Sequence, residues 1–563
     1  MKFKKIINIL DKRERKKLFL ITILLSISII IELIGIGMIF PILELFTVNN
    51  SNFLTKIFSY FDHFKIIHDQ LSMIKFSLLL LVIIYLFKLL SLTFITYIKN
   101  KFFSDLCSDL SAKLFRRYLN QDYRFFLNKN SSELVRNITG ETSLFCFGVI
   151  SSLSVLFNEI ILLLCISFLL LYVEPIGALI IFIIFSFFSI FYLMLTKKKL
   201  NEWGETRQMH DTKRYQHLFQ GFGSIKEIIL LKNSKFFSDK FDFDNRKSFE
   251  MLMLSNTLNQ FPRLGLEFLT IIIFTIGSYI LIYNEKNFID TIPTLGLFVV
   301  SAFRLLPSLS KIISSLQTFK YNRAAIDTLN EQFDKLKPIK IDKKNYSKIN
   351  FNKISIENLK FQYGDKENYL IDNLNFEIKK NNIIGISGRS GSGKSTLVNL
   401  ITGLLKPSSG IIKVDGKNIN IFLDNWQKNI GYVSQNVFLL DDTIKNNIAL
   451  GVDEENFDKN LFEKCLKDTS LEGFVNDLLE KENTFIGENG TRISGGQKQR
   501  IGIARALYFK PSLLIFDEST NALDEQTEKQ IIQTIKNLGK YITIILISHK
   551  VELLDICDKK IKI

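Results

Sequence analysis

Six apolar runs, each about as long as a bilayer core is thick, dominate the N-terminal part of the chain and constrain its fold more than any other feature. A helix rises 1.5 Å per residue, so about 20 apolar residues cross the roughly 30 Å of hydrocarbon. The runs cover about 18–46, 74–98, 146–173, 176–196, 264–283 and 291–317. The third and fourth are separated only by Val173-Glu174-Pro175, which reads as a tight turn. The first is too long for a cleavable secretory segment and lacks a small-residue cleavage site, so it is expected to stay as a membrane helix. Residues 350–563 instead carry short apolar runs between turns, the pattern of a soluble domain. The mean hydropathy of +0.16 thus averages two unlike halves. The expectation is a multidomain membrane protein: an all-α, six-helix transmembrane domain over 1–325, a polar Lys/Asn-rich linker over 326–349, and an α/β domain over 350–563.

The formal net charge is +16. On a soluble chain this would point to nucleic acid; here its location points elsewhere. The N-terminus, MKFKKIINILDKRERKK, is strongly basic, and the 99–142 connection is dense in Lys and Arg. Lys197-Lys198-Lys199 opens the 197–262 connection. The 47–73 loop has only Lys56 and Lys65, and the 284–290 loop only Lys286. Lys/Arg-rich loops stay cytoplasmic, so the N-terminus, both long connections and the C-terminal domain are expected on that side. No nucleic-acid partner is expected. Both connections keep a helical pattern, so their helices should run past the membrane and turn at tips near Tyr123–Asn128 and Gln220–Ser224. Phe3, Ile6, Ile7 and Leu10 form an amphipathic stripe suited to the membrane interface. The five cysteines are scattered without a CxxC pair, so neither disulfide nor zinc site is expected.

In the soluble half, the strand-like Ile383–Ser387 leads into Gly388-Arg389-Ser390-Gly391-Ser392-Gly393-Lys394-Ser395-Thr396 and then an apolar helix. This is GxxxxGK[ST] in a strand–loop–helix context. Glycines let backbone N–H groups approach phosphate oxygens, and the helix N-terminus adds positive potential. Lys394 should reach the β- and γ-phosphates of ATP, and Ser395 should ligate Mg²⁺. Leu513-Leu514-Ile515-Phe516 is a buried strand ending in Asp517, for the metal shell, and Glu518, for the attacking water. His549 follows the apolar run 542–547 and is placed for the γ-phosphate. Gln435 follows Gly431-Tyr432-Val433-Ser434 and is a candidate to sense Mg²⁺ and water. Spacing alone leaves these last two open to a purely structural role.

The deciding element is Ser494-Gly495-Gly496-Gln497, about 100 residues after the phosphate loop and opening an amphipathic helix. Together these motifs resemble the ATP-binding-cassette (ABC) ATPases over all of 350–563. The resemblance implies that the Ser-Gly-Gly-Gln signature of one subunit closes on the nucleotide of the other. It also implies that Tyr363 stacks on adenine, that Asp524 in Asn521-Ala522-Leu523-Asp524 crosses the dimer interface, and that Glu488 belongs to a segment facing the membrane helices. Departures are Ile493 where leucine is usual, Lys550 after His549, and an end at Ile563 that reads as lacking the usual last strand.

Six spans before one cassette resemble the half-transporter exporters, so a homodimer with two competent ATP sites is implied. Intramembrane charges default to function. Lys88, Arg263, Arg304 and Lys311 could line a cavity and bind an anionic headgroup, arginine being suited to pyrophosphate by its fork. The alternative is pairing with Glu32, Glu159 and Glu267, Arg263 and Glu267 being i, i+4, or snorkelling. In the 47–73 loop, Leu54, Ile57, Phe58 and Phe61 follow helical spacing. They read as an external interfacial helix that guides a lipid tail or merely packs on the rim. Phe261-Pro262-Arg263-Leu264, Phe303-Arg304-Leu305-Leu306-Pro307-Ser308 and Asn137-Ile138-Thr139-Gly140-Glu141 resemble the PglK-type flippases of lipid-linked oligosaccharides. That resemblance implies a polyprenyl-pyrophosphate glycan, flipped across a bacterial inner membrane for protein glycosylation. An exporter of drugs, peptides or other lipids, and a non-translocating ATP-dependent sensor, remain the alternatives.

Overall fold

The computed structural model describes residues 2–37, 70–173, 175–283, 288–337, 347–364, 368–389, 391–518 and 525–563. They form two compact units.

The first unit is helical throughout. It comprises α1 (Lys2–Ile9), α2 (Lys12–Gly37), α3 (Gln70–Leu119), α4 (Tyr123–Leu127) from Phe125 onward, α5 (Ser131–Arg136), two π-helical turns (Asn137–Glu141 and Leu144–Ile150) and α6 (Ser151–Val173). It continues with α7 (Pro175–Gly223), α8 (Ile225–Leu231), α9 (Ser234–Tyr283), α10 (Phe288–Tyr321) and α11 (Arg323–Lys335). Among the described residues, four stretches are long and apolar enough to cross a membrane: Lys12–Ile34, Lys75–Leu119, Ser131–Phe168 and Leu179–Gly223. The fifth and sixth expected runs fall within α9 and α10, and the first run beyond Gly37 lies outside the described residues. Ile183, Phe187 and Leu195 point outward on α7, while Phe185 and Tyr192 are buried with Leu266 and Ile313. Apolar side chains outside as well as inside suit helices whose solvent is lipid.

Several helices are longer than a bilayer core is thick. α3 and α9 have 50 residues each, about 75 Å against roughly 30 Å of hydrocarbon. The first tip is the short α4. The second falls at Ser224, within the expected Gln220–Ser224 stretch. Gly221 and Gly223 stay inside α7, the break comes at Ser224, and the separate short helix is α8, closed by Lys232 at φ 55°. Glycine permits a turn without requiring one.

Two further expectations are corrected. The N-terminal stripe is sunk in protein rather than in the membrane interface. Ile6, Ile9 and Leu10 are buried with Ile326, Leu329 and Phe333, and Lys5 Nζ pairs with Asp327 Oδ1 at 2.5 Å. The start of the supposed linker is therefore α11, packed inside the helical unit. Its Lys/Asn-rich composition masked an i, i+3, i+7 apolar stripe, Ile326, Leu329 and Phe333. The Asn137–Glu141 segment is a π-turn with both end residues buried. Asn137 Nδ2 donates to Tyr118 Oη at 3.1 Å, and Glu141 lies 3.6 Å from Arg207 and 3.7 Å from Arg136.

A polar stitch joins α7 to α9. Asp244 Oδ1 is 2.6 Å from His210 Nδ1, and its Oδ2 is 2.8 Å from His217 Nε2. Burial pushes the Asp244 carboxyl up, but the two histidine hydrogen bonds together hold it below the usual carboxylate range. A depressed carboxylate stabilises the fold above its unfolded pKa and loses that contribution as pH falls through the folded one. Asp244→Asn is therefore expected to cost about 1–3 kcal/mol at pH 7, the range for unsatisfied buried partners. The gap to wild type should narrow as pH falls below the ordinary carboxylate range, where Asp244 itself becomes protonated. Heat-stability curves of both proteins across this pH range check it.

The second unit is α/β. A first sheet has antiparallel order β2-β1-β4-β5, with β1 (Lys353–Phe361), β2 (Ile371–Lys379), β4 (Ser409–Val414) and β5 (Lys417–Asn418). A second sheet is parallel, in the order β6-β7-β8-β3-β9. It comprises β3 (Ile383–Ser387), β6 (Ile430–Val433), β7 (Leu513–Asp517), β8 (Thr543–Ile547) and β9 (Lys559–Lys562). β7 and β8 are buried at every position, which is why they read as unbroken apolar runs. The expectation of a missing last strand is overturned. β9 pairs with β3 from Ile384↔Lys559 to Ser387↔Lys562. Its single apolar residue, Ile561, gives no hydrophobic pattern, and lysines suit an edge strand.

Candidate nucleotide site

The C-terminal ends of β3, β7 and β8 lie side by side in the parallel sheet and deliver the site residues. After β3 the chain turns through 388–393 into helix α12 (Lys394–Ile401). Gly393 caps this helix at φ 98°, a conformation side chains disfavour. A Cβ on Gly388 would stand 2.5 Å from Ile563 O and 2.7 Å from Ser392 Oγ, so that position requires glycine.

Lys394 is buried and folds back over the loop, its Nζ donating to Gly388 O at 3.2 Å and Arg389 O at 3.1 Å. It also lies 3.7 Å from Glu518 Oε1. Ser395 Oγ donates to Asp517 Oδ1 at 3.4 Å, and Tyr432 Oη donates to Oδ2 at 3.0 Å. Gln435 Nε2 donates to Glu518 Oε2 at 3.3 Å, and His549 Nε2 is 3.1 Å from Oε1. Six sequence-expected residues thus converge: Lys394, Ser395, Gln435, Asp517, Glu518 and His549. Burial pushes the Asp517 carboxyl up, and the hydrogen bonds from Tyr432 and Ser395 only partly offset it. Tyr432 is the residue sequence reading missed; its only signal is its place on the strand beside β7.

The residues present fit a phosphate chain and a hard cation. Ser392 Oγ is buried without a protein hydrogen-bond partner, an orphan donor inside a loop of the kind that cradles phosphate. Asp517 with Ser395 gives one carboxylate and one hydroxyl, the sparse oxygen set that Mg²⁺ completes with water and phosphate. No group of three or more His, Cys, Asp and Glu able to hold a metal occurs among the described residues.

Other expected residues are placed as follows. Tyr363 is half exposed, its ring edge-on to Phe361 and its hydroxyl 3.2 Å from Thr396 Oγ1. Ser494 caps helix α13 (Gly495–Tyr508). Its Oγ accepts from Gln497 N, and Gln497 Oε1 accepts from Ser494 N. Among the described residues no hydrogen bond joins Ser494–Gln497 to the phosphate loop of the same chain. Ser390, Asp524, Leu54, Ile57, Phe58 and Phe61 lie outside the described residues, as does the Arg304 side chain.

Of the intramembrane cations, Arg263 Nε donates to Glu267 Oε1 at 2.9 Å, the i, i+4 pairing considered from sequence. Lys311 Nζ donates to Glu159 Oε1 at 2.8 Å. Lys88 Nζ sits 4.9 Å above the Tyr85 ring.

Residues 18–303 match the family model described as the ABC transporter transmembrane region, and residues 371–521 match the model described as ABC transporter. The ATP-dependent lipid A-core flippase of Wigglesworthia glossinidia brevipalpis is 29% identical over 467 residues, covering 81% of this chain and 78% of that protein. The leukotoxin translocation ATP-binding protein LktB of Mannheimia haemolytica is 27% identical over 509 residues, covering 88% and 69%. Its counterpart in the Pasteurella haemolytica-like strain 5943B is 39% identical over 207 residues. That match spans 37% of this chain and only 29% of the relative's length. A solved structure of a bacterial Atm1-family ABC exporter with ATP bound superposes with a TM-score of 0.79 at 18% identity. It covers 98% of this chain and 93% of that one, which is a likeness of fold.

Proposed function

The chain belongs to the ABC transporter family, and from that premise we propose that two copies form an ATP-driven flippase for a polyprenyl-pyrophosphate-linked oligosaccharide. Its place is a bacterial inner membrane, with the N-terminus and cassette cytoplasmic. The observation that carries the ATPase is the convergence of Lys394, Ser395, Asp517, Glu518, Gln435 and His549 at the ends of the parallel strands.

On this reading Lys394 leaves its loop carbonyls for the phosphates. Ser395 and Asp517 hold Mg²⁺, which supplies charge neutralisation at the transferring phosphoryl group. Glu518, held by Gln435 and His549, accepts hydrogen bonding from the attacking water. Ser494–Gln497, at the N-terminus of a 14-residue helix with Ser494 and Gly495 exposed, offers N–H groups to a nucleotide on the partner chain. Tips α4 and α8 pass closure to the long helices. Tyr363 turns towards adenine, and Asp524 lines the dimer interface.

The substrate class rests on resemblance and on the charges of the helical unit. The PglK-type resemblance and the lipid-flipping relative favour a lipid cargo. Lys88, Arg263, Arg304 and Lys311 form the proposed headgroup surface, and the tail follows Leu54, Ile57, Phe58 and Phe61. Because Arg263 and Lys311 hold carboxylates, a pyrophosphate binds them by exchanging with Glu267 and Glu159. The test is translocation of a fluorescent polyprenyl-pyrophosphate glycan in proteoliposomes. Wild type should move it with ATP. Arg304→Ala should lose about tenfold in transport, the scale of one charge-assisted contact, while still hydrolysing ATP. Hydrolysis without glycan movement would overturn the substrate class. The 27% relative that translocates a leukotoxin would then favour a polypeptide exporter. Ligand-modulated hydrolysis with no cargo moved would mark a sensor.

A further inference from the structure

We propose that Tyr432 is a positioning residue for the metal-binding carboxylate. Its hydroxyl occupies Asp517 Oδ2 and so presents Oδ1, the oxygen beside Ser395, to Mg²⁺. The proposal rests on the reading of this site as a magnesium-dependent ATPase. Asp517 ends a strand buried at all five positions, and the residue itself is 8% exposed. Each of its oxygens has one partner, Ser395 on Oδ1 and Tyr432 on Oδ2. A carboxylate with one oxygen engaged binds a hard cation through the other and holds a single rotamer. With Oδ2 vacant it is free to rotate or to chelate through both oxygens.

The backbone places this donor well. β6 runs parallel to β7 with Tyr432 opposite Ile515, so the tyrosine lies two residues behind Asp517 on the adjacent strand. Its side chain must reach forward, and a phenol hydroxyl is far enough from the backbone to do so. The in–out alternation of the strand argues against the simpler explanation that the ring serves the core. Gly431 and Val433 are buried, whereas Tyr432 is 44% exposed. A ring that leaves nearly half its surface in solvent while its tip ends on a buried carboxylate is placed for its hydroxyl.

Tyr432→Phe keeps the ring and removes only the donor. The test uses the full chain in nanodiscs in a Glu518→Gln background, so that nucleotide persists. Mn²⁺ replaces Mg²⁺, and free Mn²⁺ is read by electron paramagnetic resonance with ATP present. The expected result is a rise in the Mn²⁺ dissociation constant of about tenfold on adding Tyr432→Phe, the usual scale for outer partners of metal ligands. ATP affinity measured without metal should not change. In a Glu518-intact chain, the Mg²⁺ concentration for half-maximal hydrolysis should rise while the rate at saturating Mg²⁺ falls less than about threefold. Ser395→Ala, which removes a direct ligand, should weaken Mn²⁺ at least as much. An unchanged Mn²⁺ affinity in Tyr432→Phe, with Ser395→Ala weakened, would overturn the positioning role alone. No ATP-dependent Mn²⁺ binding in the parent protein would overturn the site reading, and this proposal with it.

Discussion

Glu518→Gln is expected to lower ATP turnover by about 10²-fold or more, the scale of losing a group that acts on the reacting centre, while nucleotide binding stays intact. The exchange removes a charge and keeps the shape. Glu518 sits at φ 46° with its backbone N–H donating to Ile547 O at 3.1 Å. That local frame is indifferent to whether the side chain ends in a carboxylate or an amide. The amide oxygen still accepts from Gln435, so the residue stays in place. It no longer offers an anion to the attacking water. Lys394, 3.7 Å from the carboxylate in this structure, loses a competing partner. Its approach to the phosphates becomes easier, so affinity for ATP should hold or rise. Steady-state hydrolysis and binding of a fluorescent ATP analogue, measured on the same preparation, separate the two effects. Undiminished hydrolysis would mean that the water is activated elsewhere.

The parts of this site that were legible in sequence are those whose chemistry needs consecutive residues. The phosphate loop, Asp517-Glu518 and the signature each carry their meaning within a few positions. The tyrosine on Asp517 was not legible, because it depends on which strand lies beside β7 and in what register. The membrane charges divide the same way. Arg263 and Glu267 share a helix at i, i+4, so their pairing was open to view. Lys311 and Glu159 lie 152 residues apart, and only the packing of α10 on α6 brings them together. β9 and α11 were misread for a related reason. One apolar residue among lysines, and a narrow stripe in a polar segment, disappear when composition is averaged over a window. The amphipathic stripe of α1 was seen, but its partner was not. A stripe states that a face must be covered and leaves open whether lipid or protein covers it.

A nucleotide site shared between two copies, as proposed above, predicts a result that neither variant chain gives alone. Lys394→Ala removes the charge proposed to reach the phosphates, and Gly495→Asp places a carboxylate at the mouth of the signature helix. Each homodimer should fall below about 1% of wild-type hydrolysis, as expected when a phosphate-stabilising contact is lost or opposed by like charge. Gly495→Asp is a clean probe because a Cβ there meets nothing within 4 Å, and an acid in the first turn of a helix is tolerated or favoured. The chain should therefore fold, and the defect lies in what the helix end can approach. In a dimer of one chain of each kind, sites built across the interface are unequal. One combines both lesions. The other joins the intact loop of the Gly495→Asp chain to the intact signature of the Lys394→Ala chain. Heterodimers isolated through two different affinity tags should recover about half the wild-type rate when the two-fold-related sites act independently. A recovery well above both homodimers requires the loop and signature to meet between chains. If each chain built its site alone, every chain in the mixture would carry its own lesion, and the heterodimer would stay as inactive as its parents.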